Sequence, residues 1–313
     1  MTYSEEFIEA LKEENLGKLR NVPKSDLHNH LSRAAKKQDL EEWLQVKLPS
    51  FPGAESVTEM DNWYRANIKD RISSEGMFSL RIKSAFYEAK RENITKLCLS
   101  FGPGDLQHFH NELQEFINTV ERFKNEMVPQ IVFIPELSVC RTDNIEWNQY
   151  QIDAVYKLLE SNYFRSIDVV GDEKVSSSQF RELFEECRNR NMQTKSHIGE
   201  FTPYTEIERC MKELPLTDIQ HGISASENNE LMARLREEKI TLHICPTSNV
   251  MLHRTEGYHH PQLRKLLDAK VPVTINTDDL LIFDSSISEE YLHLYHSGNF
   301  SAEELDTIRL QGI

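Results

Sequence analysis

The sequence is short of cysteine, of basic charge and of long apolar runs, and each shortage closes off a class of protein. Its five cysteines, Cys98, Cys140, Cys187, Cys210 and Cys245, are scattered and form no CxxC pair. An odd, dispersed set makes no disulfide framework and fits a reducing cytoplasm. No run reaches the roughly 18 apolar residues of a membrane helix. The opening stretch MTYSEEFIEALKEENLGKL is charged and helix-like, without the apolar centre of a signal peptide. A cytoplasmic protein with no membrane partner is expected. Basic residues number 36 against 51 acidic ones, a formal net charge of −15. A field of that sign repels phosphate backbones, so nucleic acid is not an expected partner. Low-complexity tracts, repeats of 20–50 residues and long Gly/Ser linkers are also missing, which argues against solenoids and strings of domains. Oligomeric state leaves no mark in the sequence.

What is present is an alternation. Short apolar runs are separated by amphipathic helical stretches, the pattern of a parallel sheet wrapped by helices. Candidate strands are KSDLHNH (24–30), TKLCLSF (95–101), QIVFIPELS (130–138), SIDVVG (166–171), QTKSH (193–197), TDIQH (217–221), ITLHIC (240–245) and PVTINT (272–277). Eight strands in 313 residues predict an α/β protein, a TIM-type (β/α)8 barrel, which typically needs about 250 residues. The chain 1–313 reads as one domain. The first connection, 31–94, departs from the rhythm: it carries the helical segments DLEEWLQ and VTEMDNWYRANIKD. A helical insertion after the first strand sits at the C-terminal face and is placed to form a lid.

Polar residues gather at the ends of these strands. In His28-Asn29-His30, residues i and i+2 of a strand point the same way, so the two imidazoles project together. His197 closes the fifth strand, with Glu200 three residues on; His221 closes the sixth; Asp278 and Asp279 close the eighth. Each alone has an ordinary explanation, such as a helix cap for the aspartates. Together they fall on the one face where barrel enzymes assemble their sites. Three histidines and a carboxylate on rigid strands suit zinc or another divalent ion and leave a position for water, whose pKa the metal lowers. His221 is then placed to take or orient the water's proton, Glu200 to donate a proton to a substrate ring, and Asp279 to orient the water or accept from the substrate.

The motifs PKSDLHNHL, SIDVVGDE, SHIGE, QHGI, HICPTSN and VTINTDDLLIFDS occur in that order over residues 23–291. In this the chain resembles the adenosine deaminase family of the amidohydrolase superfamily. The resemblance implies zinc-dependent hydrolytic deamination of an adenine-containing small molecule, adenosine or a close analogue, to the 6-oxopurine and ammonia. It implies one Zn2+ per chain, held by His28, His30, His197 and Asp278. Glu200 would protonate purine N1, His221 would assist the attacking water, and Asp279 would contact water and N7. The backbone N–H of Gly171 would meet N3, where a side chain would block the ring.

Ser32 and Arg33 depart from the pattern. Relatives carry a carboxylate at the first position, which holds ribose hydroxyls, and a small residue at the second. Arg33 has two readings: a guanidinium for an anionic group near the sugar's 5′ side, such as phosphate, or an outward-turned side chain paired with acidic residues. An adenine nucleotide or 5′-modified adenosine as substrate, a different amidohydrolase reaction, and a non-catalytic nucleoside-binding role therefore stand as alternatives. Trp63, Tyr64, Met77, Phe78 and Phe86 read as core, and His259-His260 as surface.

Overall fold

The computed structural model describes residues 2–72 and 76–313. Eight parallel strands follow one another around a nearly closed barrel in simple sequence order: β1 (Lys24–Asp26), β2 (Ile94–Phe101), β3 (Val132–Arg141), β4 (Ser166–Gly171), β5 (Gln193–Ile198), β6 (Asp218–His221), β7 (Thr241–Ile244) and β8 (Val273–Ile275). Every strand foreseen in the sequence is there. Parallel neighbours need a crossover, and each is supplied by helix, as the alternation requires.

The first strand is shorter than expected. Its ladder ends at Asp26, because the Leu27 amide turns to the Asn276 side chain (2.7 Å). The chain stays extended and returns to the sheet at two single bridges, Asn29 with Asp278 and His30 with Ser100. The first bridge, the Asp278 amide on the His28 carbonyl (2.9 Å) and the Thr277 hydroxyl on Asp26 (2.6 Å) draw the last strand against the first. Closure and placement of His28, His30 and Asp278 are therefore one event.

Below the site the barrel is sealed by side chains. The seal includes Leu27, Cys98 and Ile134, which form a small cluster of their own. Beside it lies a buried ionic knot in which Lys195 Nζ meets Glu136 Oε2 (2.9 Å), the Leu27 carbonyl (3.0 Å) and Cys98 Sγ (3.3 Å). The alternate residues Leu97, Leu137, Val139, Ile167, Val169, Ile219, Leu242 and Val273 point to the other face and join one large apolar cluster with the surrounding helices. The helices Tyr3–Lys12 and Ala302–Gly312 pack together near β1 and β8, and a side chain at Gly312 would strike Ser25.

The stretch between β1 and β2 carries the helices Lys37–Leu44, Val57–Asn67 and Met77–Arg91. It has a small core of its own, with Leu40, Leu48, Phe51, Met60, Tyr64, Ile68 and Ile72 resting on Leu252 and Leu281–Phe283. Tyr64, Phe78 and Phe86 are buried, and Trp63 packs edge-on to Phe51 at 5.0 Å. None of the five residues read as core lines the cavity described below.

Candidate active site

A cavity of about 680 Å3 opens at the C-terminal ends of the strands, within the range of small-molecule sites. Its floor holds His30, His197, Glu200, His221, Asp278 and Asp279, and its wall includes Ser32, Arg33 and Gly171. Every candidate metal, catalytic or substrate residue except His28 lines it, and His28 is fully buried beside them.

The histidines are held by one ring nitrogen and present the other. His28 Nδ1 lies 3.4 Å from the His243 carbonyl and 3.3 Å from Cys245 Sγ. His30 Nδ1 meets Ser100 Oγ at 2.8 Å, and His197 Nδ1 stands 2.8 Å from Asp168 Oδ2. Their Nε2 atoms converge: His28 and His197 are 3.0 Å apart, and Asp278 Oδ1 is 3.3 Å from His30 and 3.7 Å from His28. Imidazole nitrogens brought this close with no other partner repel unless a proton or a cation lies between them. Ligating histidines tied back through the second nitrogen are the usual arrangement around a metal. The donor set of imidazole and carboxylate suits zinc and its neighbours. His28 belongs to two overlapping groups able to hold an ion, one with His30 and Asp278, the other with His197 and His221.

Two of these residues sit in left-handed backbone, His221 at φ +60° and Asp278 at φ +58°. Gly171, at φ +97°, ends β4 where a Cβ would lie 2.8 Å from Cys140 Sγ and 2.9 Å from the Arg141 carbonyl. Both the backbone conformation and those neighbouring atoms require glycine there.

Glu200 is enclosed. Oε2 lies 3.5 Å from His221 Nε2, and Oε1 accepts from Asn249 Nδ2 at 3.4 Å. Burial first, then the charges of Asp278 and Glu173, push its carboxyl well above the usual carboxylate range. Its enclosure thus favours the protonated form.

The supporting residues escaped the sequence reading. Glu173, in VGDE, accepts the amides of Gly199 (2.9 Å), Glu200 (3.1 Å), Phe201 (3.3 Å) and Thr202 (3.1 Å), and the Thr202 hydroxyl. Arg141 donates to the His197 carbonyl and to Ser177 Oγ (3.1 Å). Ser248 Oγ holds Asp278 Oδ2 at 2.8 Å. His260 is a correction: far from being at the surface, it is fully buried, with Nε2 3.3 Å from Asn249 Oδ1 behind Glu200. It caps the helix Pro261–Asp268 from left-handed backbone, which turns the ring inward; His259 stays exposed. The motifs VGDE and CPTSN were visible as motifs, and only the fold shows which atoms they hold.

Arg33 pairs with acidic residues, as in the second of its two readings, but not by turning outward. It turns inward, and both terminal nitrogens are engaged, Nη1 with Asp279 Oδ2 (2.7 Å) and Nη2 with Asp61 Oδ1 (2.5 Å). The Ser32 carbonyl accepts from Arg81 (2.7 Å).

Residues 86–313 match the profile of the adenosine deaminase family. A Treponema pallidum (strain Nichols) protein assigned as an adenosine/adenine deaminase is 26% identical over 299 residues, covering 93% of this chain and 98% of that protein. Among solved structures, the adenine deaminase from Arthrobacter aurescens aligns with a TM-score of 0.78 at 18% identity, over 93% of this chain and 92% of that one. An amidohydrolase from Burkholderia ambifaria with bound Zn aligns at 0.74 and 18% identity, over 94% and 85%.

Proposed function

This chain belongs to the adenosine deaminase family and is a hydrolase acting on C–N bonds of cyclic amidines; from that premise we propose that it deaminates an uncharged 6-aminopurine, adenine or an adenosine-type nucleoside, using one zinc ion. The observation that carries the reading is the pairing of converging His Nε2 atoms with the buried carboxyl of Glu200 in one cavity.

His28, His30, His197 and Asp278 would hold the ion. When bound, zinc supplies Lewis acidity that makes water a nucleophile at neutral pH. Glu200 gives its proton to the ring nitrogen N1, which draws electrons from C6 as the water oxygen adds there. His221 and Asp279 orient that water, and His221 takes up its proton and returns it to the departing amine. The C6–N bond then breaks, ammonia leaves, and as C6=O forms the remaining proton of the added water returns to Glu200. The Gly171 amide meets N3 of the purine ring. The first-connection helices, with Met60 and Asp61 in the cavity wall, act as a lid.

Charge favours the uncharged substrate over a nucleotide. Carboxylates outnumber Lys and Arg eight to three in the lining. Arg33 already has two carboxylate partners, and Arg254 lies 3.5 Å from Glu55 and over the Phe201 ring at 4.7 Å. A phosphate would meet a negative field with these guanidinium groups engaged.

The test is ammonia release by zinc-loaded protein from adenine, adenosine, 2′-deoxyadenosine, 5′-modified adenosines and adenine nucleotides, with Glu200→Gln as control. Turnover of a base or nucleoside that vanishes in the variant is expected. Preference for nucleotides would overturn the uncharged substrate, and no turnover of any purine by metal-bound protein would overturn the deaminase reading.

A further inference from the structure

Among the described residues, Asp279 is held by one oxygen. Oδ2 accepts from Arg33, while Oδ1 is buried in the cavity wall with no hydrogen-bond partner among them. A carboxylate fixed at one end presents the other in a defined direction, and a free one turns between two equivalent poses. The tie therefore selects what the substrate meets.

The far side of the same guanidinium reaches the first-connection helix Val57–Asn67. Nη2 meets Asp61, and the group lies over the Tyr64 ring at 4.7 Å. Asp61 and Tyr64 are i and i+3, one face of that helix. Tyr64 Oη is 3.5 Å from Arg81 Nη1, which also donates to the Ser32 carbonyl next door to Arg33. A planar fork is the side chain that can join two carboxylates and a ring at once; a lysine ammonium cannot. Two acids of like charge would repel across this gap, so Arg33 adds an ionic tie to the apolar packing that seats the helix.

We propose that Arg33 is a positioning residue that latches the helix Val57–Asn67 to Asp279, so that Asp279 presents Oδ1 correctly only while that helix covers the cavity. The inference rests on the deaminase reading for its kinetic consequence, and on geometry alone for the latch.

The experiment compares wild type with Arg33→Met, Arg33→Lys, Asp61→Asn and the Arg33→Met/Asp61→Asn pair. Kinetics use whichever purine the wild type deaminates, and limited proteolysis of metal-free protein reads the segment 46–72 directly. Arg33→Met should lose about 10–100-fold in kcat, the scale of a misplaced catalytic group. Asp61→Asn should lose about 3–10-fold, and the pair no more than Arg33→Met alone, since coupled residues are not additive. Arg33→Lys should recover only part. Cleavage within 46–72 should quicken in both Arg33→Met and Asp61→Asn. Asp61 is a third exposed, so its variant keeps the core intact. Additive losses, an Arg33→Met effect confined to KM, or unchanged cleavage in both single variants would each overturn the latch. If the wild type turns over no purine, the deaminase reading falls while proteolysis still decides the latch.

Discussion

The rim of strand ends and the helical stretch between β1 and β2 face each other across one cavity, and they are built differently. On the rim, each functional side chain leaves a parallel strand or the few residues just past its end, and further side chains brace three of them: Ser100 behind His30, Asp168 behind His197, Ser248 behind Asp278. Opposite, the helices keep their own small core, and the ties toward the site run through arginines. A wall on rigid strands sets the geometry of reaction; a wall on its own core sets access and fit.

That contrast predicts where kcat and KM should move. The largest effect belongs to the rim. Glu200→Gln should lower kcat by about 10²–10⁴-fold with melting temperature and metal content unchanged; metal loss would move Glu200 into the ligand set. Next comes Glu173→Gln, which turns an amide NH2 toward backbone donors. A drop in kcat of about 10–100-fold and a cost of about 1–3 kcal/mol in urea unfolding are expected, with Glu173→Asp recovering part. If kcat holds while stability falls, the cradle only supports the fold.

On the opposite wall, Met60 is buried and lines the cavity. Met60→Ala should cost about 2–5 kcal/mol of local packing and raise KM several-fold, leaving kcat within about twofold. A kcat loss as large as that of Glu173→Gln would erase the distinction between the walls. The smallest effect is a pH slope. Burial first, and then Glu92, push the Glu88 carboxyl up to about 7 against the pull of Arg91. Between its ordinary 4.5 and about 7, the folded state holds a proton that the unfolded chain has released. Stability therefore falls with rising pH across that window. Glu88→Gln should be more stable than wild type at pH 8 and close to it at pH 4.5, read by thermal melts; the opposite order would mean that the ion pair with Arg91 dominates.

The two walls also differed in how much of them could be read from the sequence. Strand identity follows from short apolar runs, and the period-two spacing of His28 and His30 announces a shared face before any contact is known. The residues behind them were hidden by register. That Asp168 stands behind His197 depends on β4 lying beside β5, with Asp168 opposite Lys195. Likewise, one of the two carboxylate partners of Arg33, Asp61, is 28 residues away on a helix whose docking no local pattern encodes. His260 misled because two histidines before a proline look like a loop; the ring's inward turn follows from its left-handed backbone.

The left-handed backbone of His221 and Asp278 carries a consequence for any attempt to toughen this protein. That conformation costs an ordinary side chain about 1–2 kcal/mol, and glycine or asparagine would relieve it. A library screened only for survival after heating would therefore enrich glycine at 221 and 278, and each gain in heat tolerance there would remove a group from the reaction centre. Selection for endurance and selection for turnover pull in opposite directions at these two positions, so a hardened variant should be sought in the remainder of the chain.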